Sequence, residues 1–421
     1  MSVIHVLEKS VAERIAAGEV IERPVSVVKE LVENSIDAGA SRIQVEIKGG
    51  GLQMIRVADD GCGISREDLP VAIRRFATSK IKNLEDIDNL YTLGFRGEAL
   101  PSITAVSRVE IITRRDKDEE GSRIVIMGGE IMEEGGIGAP PGTVVEVREL
   151  FFNTPARRKF MKSASAEGAR IIDWLQKIAL YHTGIDFQLV SNGRRVLMIP
   201  PQMDQRERLG NLFNVDPEDF IPLDYSGKDL SVRGFIGKPG LARKDRARQV
   251  IFVRGRLIRH PVITKALSAG ADPLIEGGHY PSALLFIDVS RGLDVNVHPT
   301  KSEVRFSDNQ AIFNAVHNAV RDAYRAYGIK EIKVNQEPGG LHVSQAQGLY
   351  EKVVVDSFEQ IPPTLDLFSQ AGAPDKDQPS VVWQLGATYI IGIKEGDLWI
   401  IDQHAAAERL TYNKLRYSIK N

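Results

Sequence analysis

A single cysteine, Cys62, stands in a chain of 421 residues, so no disulfide can form within it and its stability must come from packing. That economy fits a reducing, cytoplasmic setting. No uninterrupted apolar run approaches the roughly 20 residues a membrane-spanning helix needs. The first 13 residues carry scattered charges where a secretory leader needs an apolar centre. The net charge is only -2, so bulk charge selects no class of partner and local clusters must be read instead. The pattern G-x-x-x-x-G-K-[ST] is absent, which excludes a P-loop as a phosphate cradle. What is present, 43% hydrophobic and 26% charged residues, is the balance of a globular chain that buries a core. The length predicts two or three domains.

Residues 24–38 read as a helix. Pro24 suits its first turn, Gly39 its C-terminal cap, and Val27, Val28, Leu31 and Val32 form one apolar side. Ile43, Val45 and Ile47 alternate with polar residues as in a half-buried strand; Gly49, Gly50 and Gly51 make a turn, and Ile55 and Val57 begin the return strand. Further strands are expected at 108–113, 122–127 and 143–147, with a long helix near 166–181. The pattern is α+β rather than a regular βαβ alternation. A second block, from about 207 to 328, holds strand patterns at 231–236, 249–253, 283–289 and 303–306, then a helix near 309–326. Residues 333–380 are rich in Gln, Pro, Gly, Ser and Asp and read as a flexible linker. Order returns in the last 40 residues: Tyr389, Ile391 and Ile393 alternate, Trp399, Ile400 and Ile401 form an apolar strand, and an Ala-rich helix starts near 403. A domain running only from 381 to 421 cannot bury a full core, so the chain is expected to be part of a longer protein. The expected domains are 1–206, 207–330, a linker at 331–380, and the start of a last domain at 381–421.

Glu30, Asn34 and Asp37 fall at i, i+4 and i+7 of the first helix and so share one stripe. An acid and an amide one turn apart can activate a water and hold a metal ion, although the stripe alone equally fits a solvated polar face. Asp59-Asp60-Gly61-Cys62-Gly63 directly follows a strand. Asp59 can accept the exocyclic amine of adenine, and Gly61 and Gly63 let a flat base approach the backbone; alone, the segment also reads as a plain turn. Thr78, Ser79 and Lys80 come next, then Gly94, Phe95, Arg96, Gly97, Glu98, Ala99 and Leu100, a glycine-rich turn opening a helix whose N–H groups can face phosphate. Gly142-Thr143-Val144 precedes a strand and closes the base pocket. Cys62 reads as structural, since no neighbouring base would activate it.

The order Glu-x-x-x-Asn, Asp-x-Gly-x-Gly, glycine-rich segment, Gly-Thr resembles the ATPase superfamily of DNA gyrase, the histidine kinases and MutL. GFRGEAL (94–100), IAAGEVIERP (15–24) and FFNTPARRKF (151–160) resemble the MutL family in particular, and the resemblance runs from residue 1 to about 328. It implies an N-terminal α/β sandwich ATPase domain, a second α+β domain with a βαβ crossover like the second domain of gyrase B, a disordered linker, and the start of a C-terminal dimerisation domain. It implies Glu30 as general base, Asn34 as Mg ligand, Asp59 as the adenine reader with Thr143 in support, and Thr78, Ser79, Lys80, Arg96 and Gly97 as a lid over the ATP phosphates. It implies that Lys301, in His298-Pro299-Thr300-Lys301, reaches the γ-phosphate from the second domain. It further implies an ATP-dependent clamp in DNA mismatch repair that hydrolyses ATP slowly, with residues 15–22 in the dimer contact. A MutS-type mismatch sensor, a helicase and a nucleoid-associated cytoplasmic location follow from the same resemblance.

Residues 238–259 place Lys238, Arg243, Lys244, Arg246, Arg248, Arg254, Arg256 and Arg259 against one acid, Asp245. Such a cluster fits non-sequence-specific contact with a DNA backbone, or a solvated surface. The resemblance favours DNA, above all for Arg256. Arg157, Arg158 and Lys159 fit a structural or a DNA-contacting role equally. The linker peptide TLDLF (364–368) resembles peptides that bind sliding clamps, with Thr in place of the usual first Gln. Asp402, His404 and Glu408 resemble the DQHAxxExxxxE motif of MutL proteins that nick DNA with Zn or Mn. Asn413 replaces the motif's second Glu, which lowers the expected metal affinity, and the acids also fit a capped, solvated helix. Three rivals remain. A type II topoisomerase ATPase subunit is opposed by GFRGEAL and FFNTPARRKF, and a histidine kinase by the lack of an upstream histidine other than His5. An ATP-binding scaffold without hydrolysis is opposed by Glu30.

Overall fold

Pro24, with no N–H to lose, opens helix α1 (Pro24–Asp37), and its far end closes as a Schellman cap. Gly39, at φ 73°, donates to Ile36 O (3.0 Å), and Ala40 N donates to Ser35 O (3.1 Å). The cap turns the chain into β1 (Arg42–Lys48), which pairs antiparallel with β2 (Met54–Asp59). The computed structural model describes residues 20–80, 92–94, 97–291, 293–294 and 304–328, with the backbone of three strands between 381 and 402.

After β2 come α2 (Leu69–Ala72), α3 (Ala99–Ala105), β3 (Arg108–Arg114), β4 (Gly121–Met127), β5 (Glu130–Ile137) and β6 (Gly142–Arg148). Then follow α4 (Pro155–Lys159), α5 (Ala164–Tyr181), β7 (Asp186–Ser191), β8 (Arg194–Ile199) and α6 (Gln205–Phe213). The eight strands form one sheet in the order β5-β4-β3-β6-β2-β1-β7-β8, antiparallel except for β1 against β7. Val27, Val28 and Leu31 of α1 and Ile171, Leu175 and Ile178 of α5 share a core with Ile43, Val45 and Ile47 of β1. The alternating burial of β1 confirms its period-two reading. One sheet therefore meets one helical layer, the α/β sandwich implied by the sequence.

The next strands are β9 (Phe220–Ser226), β10 (Leu230–Gly237), β11 (Gln249–Val253) and β12 (Arg256–Ile258). Helix α7 (Pro261–Ala271), β13 (Ala283–Val289), β14 (Leu293–Asp294), β15 (Arg305–Phe306) and α8 (Asn309–Ala326) complete this part. The second sheet runs β12-β11-β13-β10-β9, and the parallel pair β11–β13 is joined through α7, the expected βαβ crossover. Ile251 and Val253 of β11 face a core with Leu267, Val316 and Val320, while Val250 and Phe252 face the first domain's core beside Leu180 and Leu209. Burial on both faces explains why Val250–Val253 is an unbroken apolar run. Farther along, β16 (Val381–Leu385), β17 (Tyr389–Lys394) and β18 (Asp397–Asp402) form a separate antiparallel sheet in the unit 335–421.

The sequence reading missed β5, β7, β8, β9, β12, β14, β16, α2, α4, α6 and α7. The expected boundary at 206/207 falls inside α6, whose Leu209 and Phe213 belong to the first core. Gly142 and Thr143 lie within β6 rather than ahead of it. The linker at 333–380, the helix near 403 and the TLDLF peptide lie outside the described residues. No described helix is long and apolar enough to cross a membrane.

A buried guanidinium ties α6 to the turn after α5 and to the end of β8 within the first domain. Arg208, 3% exposed, donates to Ala179 O, Thr183 O, Pro200 O, Met203 O and, at 3.3 Å, His182 O. Beside it the Tyr181 ring packs on Phe252 and Phe286, with centroids 5.1 and 5.7 Å away. The His182 Nε2 is buried without a hydrogen-bond partner, and burial pushes the imidazole pKa down to about 4. Because the folded pKa lies below the unfolded value of 6.5, stability is intact above that value and is lost as pH falls toward 4. The expected contribution is up to about 3 kcal/mol from a shift of this size. Denaturant melts across this window should show that the loss is largely removed in His182→Gln. An unchanged acid loss in the variant would contradict the assignment.

Candidate nucleotide site

The α1 stripe faces a cavity of about 870 Å³, into which Glu30, Asn34 and Asp37 project. Asp59, Gly63 and Thr143 line it from the sheet side, and Thr78, Ser79, Lys80, Gly94, Gly97, Glu98, Ala99 and Leu100 from the opposite side. Residues separated by more than 100 positions in the sequence thus line one cavity. Gly61 is not in the wall: it packs behind Asp59, where an added Cβ would lie 2.8 Å from the Ala38 Cβ. Val57, Ile64, Val71, Ala72 and Val145 supply apolar wall that sequence reasoning did not assign to the site. The strand pattern had marked Val57 as core only; α2, which brings Val71 and Ala72, left no clear periodic signal.

The two neighbouring aspartates divide their work. Asp60 turns outward, where its Oδ1 accepts from Ser41 N and Arg42 N (both 2.8 Å) and its Oδ2 from Ser41 Oγ (2.6 Å). Burial works against its charge, but these bonds outweigh it and hold the carboxyl below the usual range. Asp59 turns inward at the end of β2, with Ser35 Oγ at 2.7 Å and Gly61 N at 2.9 Å. Burial raises its pKa above the ordinary value, opposed by the bonds from Ser35, Gly61 and Thr143. Thr143 sits opposite Asp59 in the β2–β6 register, and its Oγ1 lies 2.9 Å from Thr113 Oγ1.

Asp37 accepts three hydrogen bonds from two separate segments. Its Oδ1 accepts from Leu93 N (3.0 Å), and its Oδ2 from Gly94 N (3.1 Å) and Lys80 Nζ (2.5 Å). The same ammonium donates to Asn34 Oδ1 at 2.9 Å. This pair of oxygens on one helix turn therefore already holds a cationic group. Phe95, Arg96 and Lys301 lie outside the described residues, as do His404 and Glu408; Asp402 ends β18. Among the described residues no group of three or more His, Cys, Asp or Glu side chains is placed to hold a metal. Cys62 is exposed and lines the cavity, with Gly63 O 3.6 Å from its Sγ.

The basic segment needs correction. Arg256, expected on a DNA-facing surface, is only 7% exposed and donates to Leu93 O (3.0 Å) and Thr92 O (2.9 Å) across the domain seam. A buried guanidinium bonded to carbonyls is not offered to phosphate. Arg254 donates to Val289 O and Ser290 O, and Arg248 to Phe213 O, so both are also used internally. Arg243, Lys244, Arg246 and Arg259 remain exposed. Arg157 donates to Ile21 O, which favours its structural reading, while Arg158 and Lys159 are exposed.

Comparison with known proteins decides the family. A DNA mismatch repair protein MutL of Desulforudis audaxviator is 40% identical over 98% of this chain and 74% of its own length. The chain belongs to the MutL family of DNA mismatch repair proteins. The MutL of Geotalea daltonii is 39% identical over the same shares. Residues 22–132 match the model of the histidine kinase-, DNA gyrase B- and HSP90-like ATPases, 214–325 that of the DNA mismatch repair protein C-terminal domain, and 382–421 that of the MutL C-terminal dimerisation domain. Among solved structures, the Aquifex aeolicus MutL ATPase domain complexed with ADP is 27% identical with a TM-score of 0.51, covering 70% of this chain and 98% of that one. An N-terminal domain of a DNA repair protein, 24% identical, shares the fold with a TM-score of 0.64 over 76% of this chain and 99% of its own. The chain is thus a mismatch repair protein with an ATPase domain of this superfamily.

The Asp59 loop gives a test of the MutL pocket wall. Gly63 has φ 68°, and an added Cβ would collide with the Arg114 carbonyl, whereas Gly39 at φ 73° has open space around its Cα. Gly39→Ala should cost about 1 kcal/mol from backbone conformation alone, and Gly63→Ala about 2–3 kcal/mol because overpacking adds to it. Urea melts would check the order; equal losses would contradict the described loop.

Proposed function

We propose that this cavity binds ATP and hydrolyses it slowly with Glu30 as general base. The observation that carries the reading is the convergence of the Glu30–Asn34–Asp37 stripe and the inward Asp59 on one cavity. Asp59, fixed by Ser35 and Gly61, accepts the adenine amine beside the apolar walls of Val57 and Val145. Thr143 supports this end. Thr78, Ser79, Lys80, Gly94, Gly97, Glu98, Ala99 and Leu100 face the phosphates, and the family motif alone assigns Phe95, Arg96 and Lys301 to them.

The oxygens of Asn34 and Asp37, which already hold the Lys80 ammonium, fit a hard cation, and Asn34 would hold Mg. Bound there, Mg would neutralise phosphate charge. Glu30, one turn before Asn34 on the same wall, takes the proton of the attacking water. Lys80 moves from the α1 oxygens toward the phosphates. Zinc or manganese at Asp402, His404 and Glu408 rests on the resemblance to the DQHAxxExxxxE motif alone.

In this reading the first domain runs through α6, the second ends near 330, a linker follows at 331–380, and the start of a dimerisation domain lies at 381–421. ATP joins two N-terminal parts into a clamp around DNA, and a MutS-type sensor, a helicase and a sliding clamp are its partners. The exposed Arg243, Lys244, Arg246 and Arg259 meet the DNA backbone without reading sequence.

Glu30→Ala should retain ATP binding within about three-fold while hydrolysis falls at least ~100-fold, as for loss of a general base. Single-turnover assays beside equilibrium dialysis would measure both; hydrolysis at the parental rate would refute the role. Charge reversal of Arg243, Lys244 and Arg246 should weaken every DNA sequence alike and flatten the logarithmic salt slope by about 0.9 for each phosphate no longer neutralised. Filter binding over a salt series would show it, and an unchanged slope would remove this surface from the DNA path.

A further inference from the structure

Arg256 opens β12 directly after a two-residue hairpin turn, Arg254-Gly255, with φ of 46° and 77°. Positive φ at both positions is the hairpin geometry that follows strand twist, and it fixes where Arg256 emerges. The turn is also held from outside: a Cβ on Gly255 would lie 3.2 Å from the Tyr181 ring. From this position Arg256 reaches back 163 residues to Leu93 O and 164 residues to Thr92 O. The peptide it grips is held on its other edge by Asp37, through Leu93 N and Gly94 N. Guanidinium, peptide and carboxylate thus form one bonded layer between the second domain and α1. Thr92 and Gly94 line the cavity; Arg256 does not.

We infer that Arg256 is a positioning residue of the nucleotide site: from the second domain it sets Thr92-Leu93-Gly94 over the cavity and never touches the nucleotide. A planar guanidinium can serve two neighbouring carbonyls at once, which the single point of a lysine ammonium cannot do in the same geometry. Glu30, Glu33 and Asp37 lie near enough to favour its charge, against the opposing effect of burial. Any movement of the β11–β12 hairpin therefore moves the peptide whose amides rest on Asp37. The coupling is reciprocal, so nucleotide bound in the cavity biases the hairpin in turn. The inference rests on the nucleotide reading of the cavity for its functional consequence, but not for the contact itself.

The test uses the full chain with Arg256→Gln and Arg256→Lys. Amide hydrogen exchange without nucleotide should rise about ten-fold at Leu93 and Gly94 in Arg256→Gln, the size expected for about 1.4 kcal/mol of reduced local protection. Elsewhere in both domains exchange should stay unchanged. Without DNA, the ATP concentration for half-maximal turnover should rise by a similar factor, with a smaller change in kcat. Arg256→Lys should fall between the two. The salt slope of DNA binding should be that of the unsubstituted protein. Unchanged exchange at 93 and 94, or a rise spread evenly over both domains, would overturn the inference. So would normal DNA-free turnover with a salt slope reduced by about 0.9, the outcome expected if Arg256 neutralised a phosphate. Absence of ATP turnover in the unsubstituted protein would instead refute the nucleotide reading, and the exchange result would still decide the contact.

Discussion

The carboxylate of Asp37 ties the site together. It stands at the last residue of α1, where the helix has run out of N–H donors of its own and points a side chain into the cavity. Three donors meet it: the ammonium of Lys80 and the backbone N–H groups of Leu93 and Gly94. Buried or half-buried donors of this kind cost free energy when left unpaired, so one carboxylate decides where two separate loop segments rest. The Schellman cap at Gly39 sets the direction in which α1 ends, and through it the position of that carboxylate. From the same cap Ala38 O accepts from Cys62 N, which holds the Asp59 loop to the helix. The Asp59 end and the Lys80 end of the cavity are thus referred to a single helix terminus.

The second domain is attached to this centre by packing and by two guanidinium groups. β11 is buried on both faces, so the domains share core rather than merely touching. Arg248 donates to Phe213 O at the end of α6, and Arg256 closes the carbonyls of Thr92 and Leu93. The two arginines act at different places: Arg248 at the end of α6, Arg256 on the peptide beside the cavity. Both contacts are hydrogen bonds from a guanidinium to backbone carbonyls.

Much of this was legible in the residues, and the gaps have physical causes. α1 was readable because Pro24, the apolar face and Gly39 all agreed, and Asp59 because its strand alternates cleanly up to the motif. β5 was not: Glu130–Ile137 is an almost wholly exposed edge strand, so no apolar alternation marks it. α6 and α7 were missed because their short apolar faces are interrupted by glycine and polar residues. The basic segment misled in a more instructive way. A run of arginines reads as a surface, but Arg248, Arg254 and Arg256 bond carbonyls far away in sequence, and distant acceptors leave no local trace. Lys80 on Asn34 and Asp37 was invisible for the same reason, although all three residues had been assigned to the site.

The central claim is that the α1 oxygens and Asp59 face one nucleotide, with Lys80 holding the α1 end until phosphate arrives. The most direct measurement is a crystal structure of this chain with a non-hydrolysable ATP analogue and magnesium. The account predicts the adenine amine on the Asp59 carboxylate, the Lys80 ammonium withdrawn from Asn34 toward the phosphates, and Arg256 still on the Thr92 and Leu93 carbonyls. A nucleotide bound away from Asp59, with Lys80 unmoved on Asn34 and Asp37, would contradict it.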